Sequence, residues 1–144
     1  MRNTGLTVLI LEARYHLAIA DALVSGAASA LEKGGAQFYR MAVPGVLELP
    51  TALAIAAQSD EPFDGYVALG CVIGNTTLHD VQFREATHGL SALGLNGLAI
   101  GNGIVMATDE DNAMLQADAM DAGGEAARGC MALMSLRDRL GYLR

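Results

Sequence analysis

Apolar positions in this chain fall into two patterns that alternate from one end to the other. Short unbroken runs, rich in β-branched residues, are followed by longer stretches in which apolar or small residues return every three or four positions. Residues 7–11, Thr-Val-Leu-Ile-Leu, form the first run and predict a strand. Ile19, Ala20, Leu23, Val24, Ala27 and Leu31 then mark a helix over 17–31, ended by Gly34-Gly35. Residues 38–43 predict a second strand, turned by Pro44-Gly45, and 48–57 a second helix with Pro50 tolerated in its first turn. The cycle repeats with a third strand over 65–73, a helix over 81–93, a short fourth strand over 98–100, a helix over 109–117 whose acidic start suits the helix dipole, and a last helix over 124–140.

Strands separated by helices of this length imply right-handed crossovers and a parallel sheet covered on both faces, so the predicted fold class is α/β, a three-layer αβα sandwich. In such sheets ligands sit beyond the carboxyl ends of the strands, where the strand order reverses. The loops over 12–16, 43–48, 73–79 and 101–106 are therefore the ones to carry chemistry. No internal repeat or low-complexity segment interrupts the pattern, and 144 residues fit a single domain spanning 1–144.

Composition narrows the function classes. A net charge of −7 with nine Lys and Arg, scattered along the chain, argues against nucleic acid or an anionic membrane as partner. The apolar runs are too short for a membrane span, and the first residues lack a basic-then-apolar export layout, which predicts a cytoplasmic protein. Two cysteines, Cys71 and Cys130, fit neither a disulfide framework nor a metal-ligand spacing and read as small core residues. A 52% hydrophobic share with 17% charged residues is high for a monomer of this size and predicts that other subunits cover part of the surface.

Each loop offers chemistry beside a plainer use. Tyr15, after the first strand, places an aromatic ring where it can stack on a planar ligand or pack over the sheet end. The segment Val46-Leu47-Glu48 offers a carboxylate and free backbone N–H groups, although Glu48 also suits the first turn of a helix. Asn75, Thr76 and Thr77 supply donors near a helix start, an unspecific anion site. His79, followed by Asp80, is either a proton-transfer group or a helix cap. Gly101-Asn102-Gly103 reads as a turn, with Asn102 a contact candidate through its place at a strand end. There is no Walker loop, Rossmann glycine fingerprint, zinc spacing or nucleophile elbow.

Five strings in register along this alternation, "EARYH", "VPGVLELP", "GYVALGCVI" with a histidine at the sixth position after it, "GLAIGNGI" and "GGEAARGCMAL", resemble lumazine synthases over residues 8–136. The resemblance implies a flavodoxin-like sandwich with a four-stranded parallel sheet, assembled as homopentamers or as shells of pentamers with active sites between subunits. It implies a transferase of riboflavin biosynthesis, condensing a ribitylamino-pyrimidinedione with 3,4-dihydroxy-2-butanone 4-phosphate to 6,7-dimethyl-8-ribityllumazine, with no metal or organic cofactor. Residue by residue, Tyr15 matches the aromatic stacking on the pyrimidine, Val46, Leu47 and Glu48 the segment holding the ribityl chain, and Val72 and Ile73 the strand end against the ring. His79 matches the proton-transfer histidine, Thr76 and Thr77 stand where phosphate donors are expected, and Asn102 aligns with a pyrimidine contact from the next subunit.

The chain departs from the family pattern at several points. Gly74-Asn75 replaces an Arg-Gly pair, Asp80-Val81 follows the histidine where an aromatic and an acid are usual, and the segment to Gly89 is one residue short. Leu17-Ala18 opens the first helix in place of acidic residues, and Met131, Met134 and Leu136 give the last helix an apolar cast that reads in part as outer surface. Gln116 stands at the expected phosphate-binding arginine, and Asp121-Ala122-Gly123-Gly124 lacks the usual lysine. A second reading is therefore a pentameric scaffold subunit, natural or re-engineered and then with a second protein component, that keeps the assembly and has lost phosphate binding. A third is a riboflavin- or lumazine-binding protein that retains the pyrimidine half of the site.

Overall fold

In the order of the chain, the computed structural model, which describes residues 5–141, runs β1 (Thr7–Ala13), α1 (Leu17–Lys33), β2 (Gln37–Val43), a 3₁₀ turn (Val46–Glu48), α2 (Leu49–Ala57), β3 (Gly65–Ile73), α3 (Thr77–Gly94), β4 (Ile100–Ala107), α4 (Glu110–Ala117) and α5 (Ala122–Arg139). The four strands form one sheet in the order β2-β1-β3-β4. All pairings are parallel, with Val8 opposite both Phe38 and Gly65, and Tyr66 opposite Ile100.

Successive strand residues point to opposite faces, and both faces are buried. Val8, Ile10, Val67, Leu69, Val105 and Ala107 meet α1, α4 and α5 through Leu23, Ala27, Leu31, Ala113, Ala127 and Met134. On the other face Leu9, Leu11, Tyr66, Ala68, Val72 and Ile104 meet the 3₁₀ turn, α2 and α3 through Val46, Leu49, Leu53, Ala86 and Leu90. Double burial is why β1 and β3 read as unbroken apolar runs. The chain crosses from β1 to β2 on one side and returns past β1 to β3 on the other, so the order reverses between β1 and β3.

The expected fold stands, and several boundaries move. β1 continues through Glu12 and Ala13, and α3 starts at Thr77 rather than at 81. The fourth strand covers 100–107, so Gly101-Asn102-Gly103 lies within a strand and is not a turn. The glycines are there because α5 crosses close above: a Cβ on Gly101 would fall on the Ala126 carbonyl, and one on Gly103 would meet Leu69 and Ala126. α5 likewise begins at Ala122, capped by the Asp121 carboxylate accepting from the Gly124 N–H. Its Met134 is core rather than outer surface, while Leu133 and Leu136 are exposed. Cys130 is buried, but Cys71 is only half-buried. No helix among the described residues is long and apolar enough to cross a membrane.

One carboxylate is buried at the sheet end. Glu12 is 3% exposed and accepts from Arg40 through Nε at 2.6 Å and Nη2 at 3.0 Å, and from Arg14 at 2.7 Å. Burial alone would raise its pKa, but the hydrogen bonds and charges of Arg40 and Arg14 outweigh burial and hold it below the ordinary 4.5. A carboxyl lowered in the folded state contributes stability that is present above its unfolded value and lost as pH falls through the folded one. Thermal stability should therefore drop on acidification below pH 4.5. Glu12→Gln should be less stable at neutral pH and show a shallower acid limb, which melting curves between neutral pH and about pH 3 would test.

Candidate active site

The reversal of strand order leaves a crevice where β1 and β3 end, and the loops that follow them line it. A cavity of about 510 Å³ there is bounded by Ala13, Tyr15 and His16 after β1, by Gly45, Val46, Leu47 and Glu48 after β2, by Cys71, Val72 and Ile73 at the end of β3, and by Leu78, His79 and Gln82 on α3. Tyr15, Val46, Leu47, Glu48, Val72, Ile73 and His79, singled out in the sequence, thus meet in one place.

Each wall has a local cause. Val46 packs over β3 because residue 70 is glycine, whose absent Cβ leaves room for the Val46 methyl. That contact seats the 3₁₀ turn, with Leu47 and Glu48 left exposed at the rim. Tyr15 is 76% exposed and meets His16 edge-on with ring centroids 4.8 Å apart, so one of its faces is open to a planar ligand. The Cys71 thiol is pushed up to about 11, by burial first and by the Glu110 charge second, which leaves it a protonated wall group at neutral pH.

His79 is both a cap and a cavity residue. The Thr76 side chain accepts from the His79 N–H at 3.5 Å, and the His79 ring reaches back, with Nδ1 2.7 Å from Thr76 Oγ1 and accepting from the Thr76 N–H at 3.3 Å. The pair forms a capping box in which histidine takes the place of the usual glutamate or glutamine. Gly74 makes room for the ring: its φ of +154° suits glycine, and a Cβ there would overlap the His79 ring atoms.

The remaining candidates lie elsewhere. Thr76 and Thr77 are exposed outside the cavity lining, and the Thr76 hydroxyl is engaged in the cap. Asn102, on the outer strand β4, lines a separate, mostly apolar cavity of about 320 Å³ with residues of α3 and α5, and its Oδ1 accepts from the Ile104 N–H. Gln116 donates through Nε2 to the Met106 carbonyl at 2.9 Å and to Asn112 Oδ1, one turn earlier on α4, at 2.8 Å, which engages both amide hydrogens. Among the described residues lining the larger cavity there is no lysine or arginine. Sequence reasoning did not single out Gln82 and Leu78. Gln82 follows His79 by three residues, the spacing that puts two side chains on one helix face, and a helix start placed at 77 would have shown it.

A family model described as 6,7-dimethyl-8-ribityllumazine synthase matches residues 5–138. Proteins of that name from Novosphingobium aromaticivorans, Erythrobacter litoralis and Sphingopyxis alaskensis are 45%, 46% and 45% identical to this chain, over 91%, 92% and 93% of it and 96% of each relative. The similarity covers both core faces, every wall of the larger cavity and the α4 segment that carries Gln116, and the chain belongs to the 6,7-dimethyl-8-ribityllumazine synthase family.

Proposed function

We propose that the chain is a working lumazine synthase, joining a ribitylamino-pyrimidinedione to 3,4-dihydroxy-2-butanone 4-phosphate with release of phosphate and water. The observation that carries this reading is the convergence of Tyr15, the Val46–Glu48 turn, the Val72-Ile73 strand end and His79 on one cavity at the strand-order reversal. Tyr15 stacks on the pyrimidine, and Glu48 with the N–H groups around it holds the ribityl hydroxyls. The hydrophobic Val72-Ile73 edge lies along the ring, and His79 moves protons as the imine forms and the phosphate leaves. In this account the cavity is completed by a second copy in a homopentamer. The exposed apolar groups Tyr15, Leu17, Leu47 and Leu78 at and beside the rim suit burial by a neighbour, and Asn102 and Gln116 act across that interface on the next subunit's cavity.

A scaffold subunit without turnover is the second reading, and two observations favour it: among the described residues the cavity lining has no lysine or arginine, and both hydrogens of the Gln116 amide are occupied. Gln116→Arg separates the two. In an enzyme whose main defect is a missing guanidinium, the substitution supplies a charge-assisted fork, and the KM for the butanone phosphate should fall about tenfold, with less change for the pyrimidine. Steady-state rates with both substrates varied are the measurement. Background turnover in both proteins would favour the scaffold.

A further inference from the structure

The capping box at the start of α3 constrains more than the helix. A backbone N–H can only donate, so the Thr76 N–H that points at His79 Nδ1 at 3.3 Å requires a lone pair on that nitrogen. The Thr76 hydroxyl, which accepts from the His79 N–H, has its own hydrogen free to donate to the same Nδ1 at 2.7 Å. With the hydrogen on Nε2 both contacts are satisfied. With it on Nδ1 the hydroxyl contact merely reverses, Nδ1–H donating to Thr76 Oγ1, while the Thr76 N–H is left facing another donor, so the backbone N–H is the contact that selects the tautomer. Gly74 leaves the space in which the ring sits, since a Cβ there would overlap its Cε1, Nδ1 and Cγ atoms. Among the described residues Nε2 has no hydrogen-bond partner, and His79 lines the cavity.

We propose that Thr76 is a positioning residue for His79: through its backbone N–H it locks the neutral imidazole as the Nε2–H tautomer, so that the resting cavity faces a hydrogen-bond donor and the ring's lone pair is held inside the cap. This rests on the reading of His79 as the proton-transfer group, and it changes what that group does first. In the resting site the ring donates from Nε2 to a carbonyl or phosphate oxygen. To accept a proton at Nε2 the ring must first hold its hydrogen on Nδ1, which turns Nδ1 into a donor and breaks its bond from the Thr76 N–H. Base catalysis is thereby coupled to loss of the Thr76 N–H contact that closes one half of the capping box. Thr76 touches no reacting atom in this account, and its hydroxyl is assigned to the histidine rather than to phosphate.

Nitrogen-15 spectra of the histidine rings test the assignment directly. The chain has three histidines, and His79→Gln identifies the resonances of residue 79. In the wild type, Nδ1 of His79 should resonate as an unprotonated nitrogen and Nε2 as a protonated one. Thr76→Pro, which removes the N–H, should give averaged signals from mixed tautomers, and Thr76→Val, which keeps the N–H and loses only the hydroxyl, should keep the wild-type pattern. In lumazine formation, Thr76→Pro should lower kcat about tenfold with little change in KM, and Thr76→Val should stay near the wild type. A wild-type ring protonated at Nδ1 or averaged between tautomers would overturn the assignment, as would an unchanged ring spectrum in Thr76→Pro. So would an active enzyme whose kcat ignores the loss of the N–H. If the wild type forms no lumazine, the functional reading fails, and the ring spectra still decide whether Thr76 locks the tautomer.

Discussion

His79→Ala is expected to slow lumazine formation by about 10²–10⁴-fold, the usual contribution of a positioned proton-transfer group. The alanine also loses the reach back to the Thr76 N–H, and a lost cap costs about 1 kcal/mol, so a partly melted helix start would confuse the result. His79→Gln removes that ambiguity. Glutamine at the third helical position completes the ordinary capping box, with its carbonyl accepting from the Thr76 N–H, yet it has no proton to exchange near neutral pH. The glutamine variant should melt close to the wild type and still show the full loss of rate. Wild-type turnover in His79→Gln would remove the proton-transfer role and leave His79 as a cap.

Gly101→Ala should be among the most damaging single-carbon changes in the core, destabilising the protein by about 3 kcal/mol, at the upper end of ordinary overpacking. The new Cβ lands on the backbone carbonyl of Ala126, and a backbone atom cannot rotate aside as a side chain can. α5 would have to lift from the sheet, loosening Ala127, Cys130 and Met134, which are buried beneath it. A fall in melting temperature of about 10 °C is expected. Gly129→Ala in the same helix provides the contrast. Nothing lies within 4 Å of the added carbon, and alanine is the better helix former by about 0.5–1 kcal/mol, so that variant should be at least as stable as the wild type. Equal melting temperatures for the two variants would contradict the close crossing of α5 over β4.

Where the sequence was informative, the cause was local or periodic. β1 and β3 were legible because double burial removes polar residues from a strand, and α1 because its buried positions keep helical spacing up to Gly34. β4 was misjudged because its glycines looked like a turn, whereas they answer to a helix distant in sequence; Gly101 is buried under Ala126. The start of α3 was hidden for a related reason, since Thr76 caps it with a histidine partner in the position that glutamate or glutamine normally marks. Of the two meanings of His79 in the sequence, the cap is seen in the structure, and the proton-transfer role proposed above falls to Nε2, the ring nitrogen outside the cap. For the site, the residues carried by strand ends converged as the topology required. Tyr15, Glu48, Ile73 and His79 leave three different strands and meet in one cavity. Gln116 and Asn102 did not join them, and their engagement with Asn112, Met106 and Ile104 has no signature in sequence spacing alone. The clasp of Glu12 by Arg40 depends on the β1–β2 register, which was likewise invisible until the strands were paired.

Whether this cavity makes lumazine is decided by product formation from the purified wild-type protein supplied with the ribitylamino-pyrimidinedione and 3,4-dihydroxy-2-butanone 4-phosphate, followed by the absorbance and fluorescence of 6,7-dimethyl-8-ribityllumazine. Formation should need both substrates, saturate with each, scale with protein concentration and fall to background in His79→Gln. A rate equal to that of the two substrates mixed without protein would contradict the proposed activity.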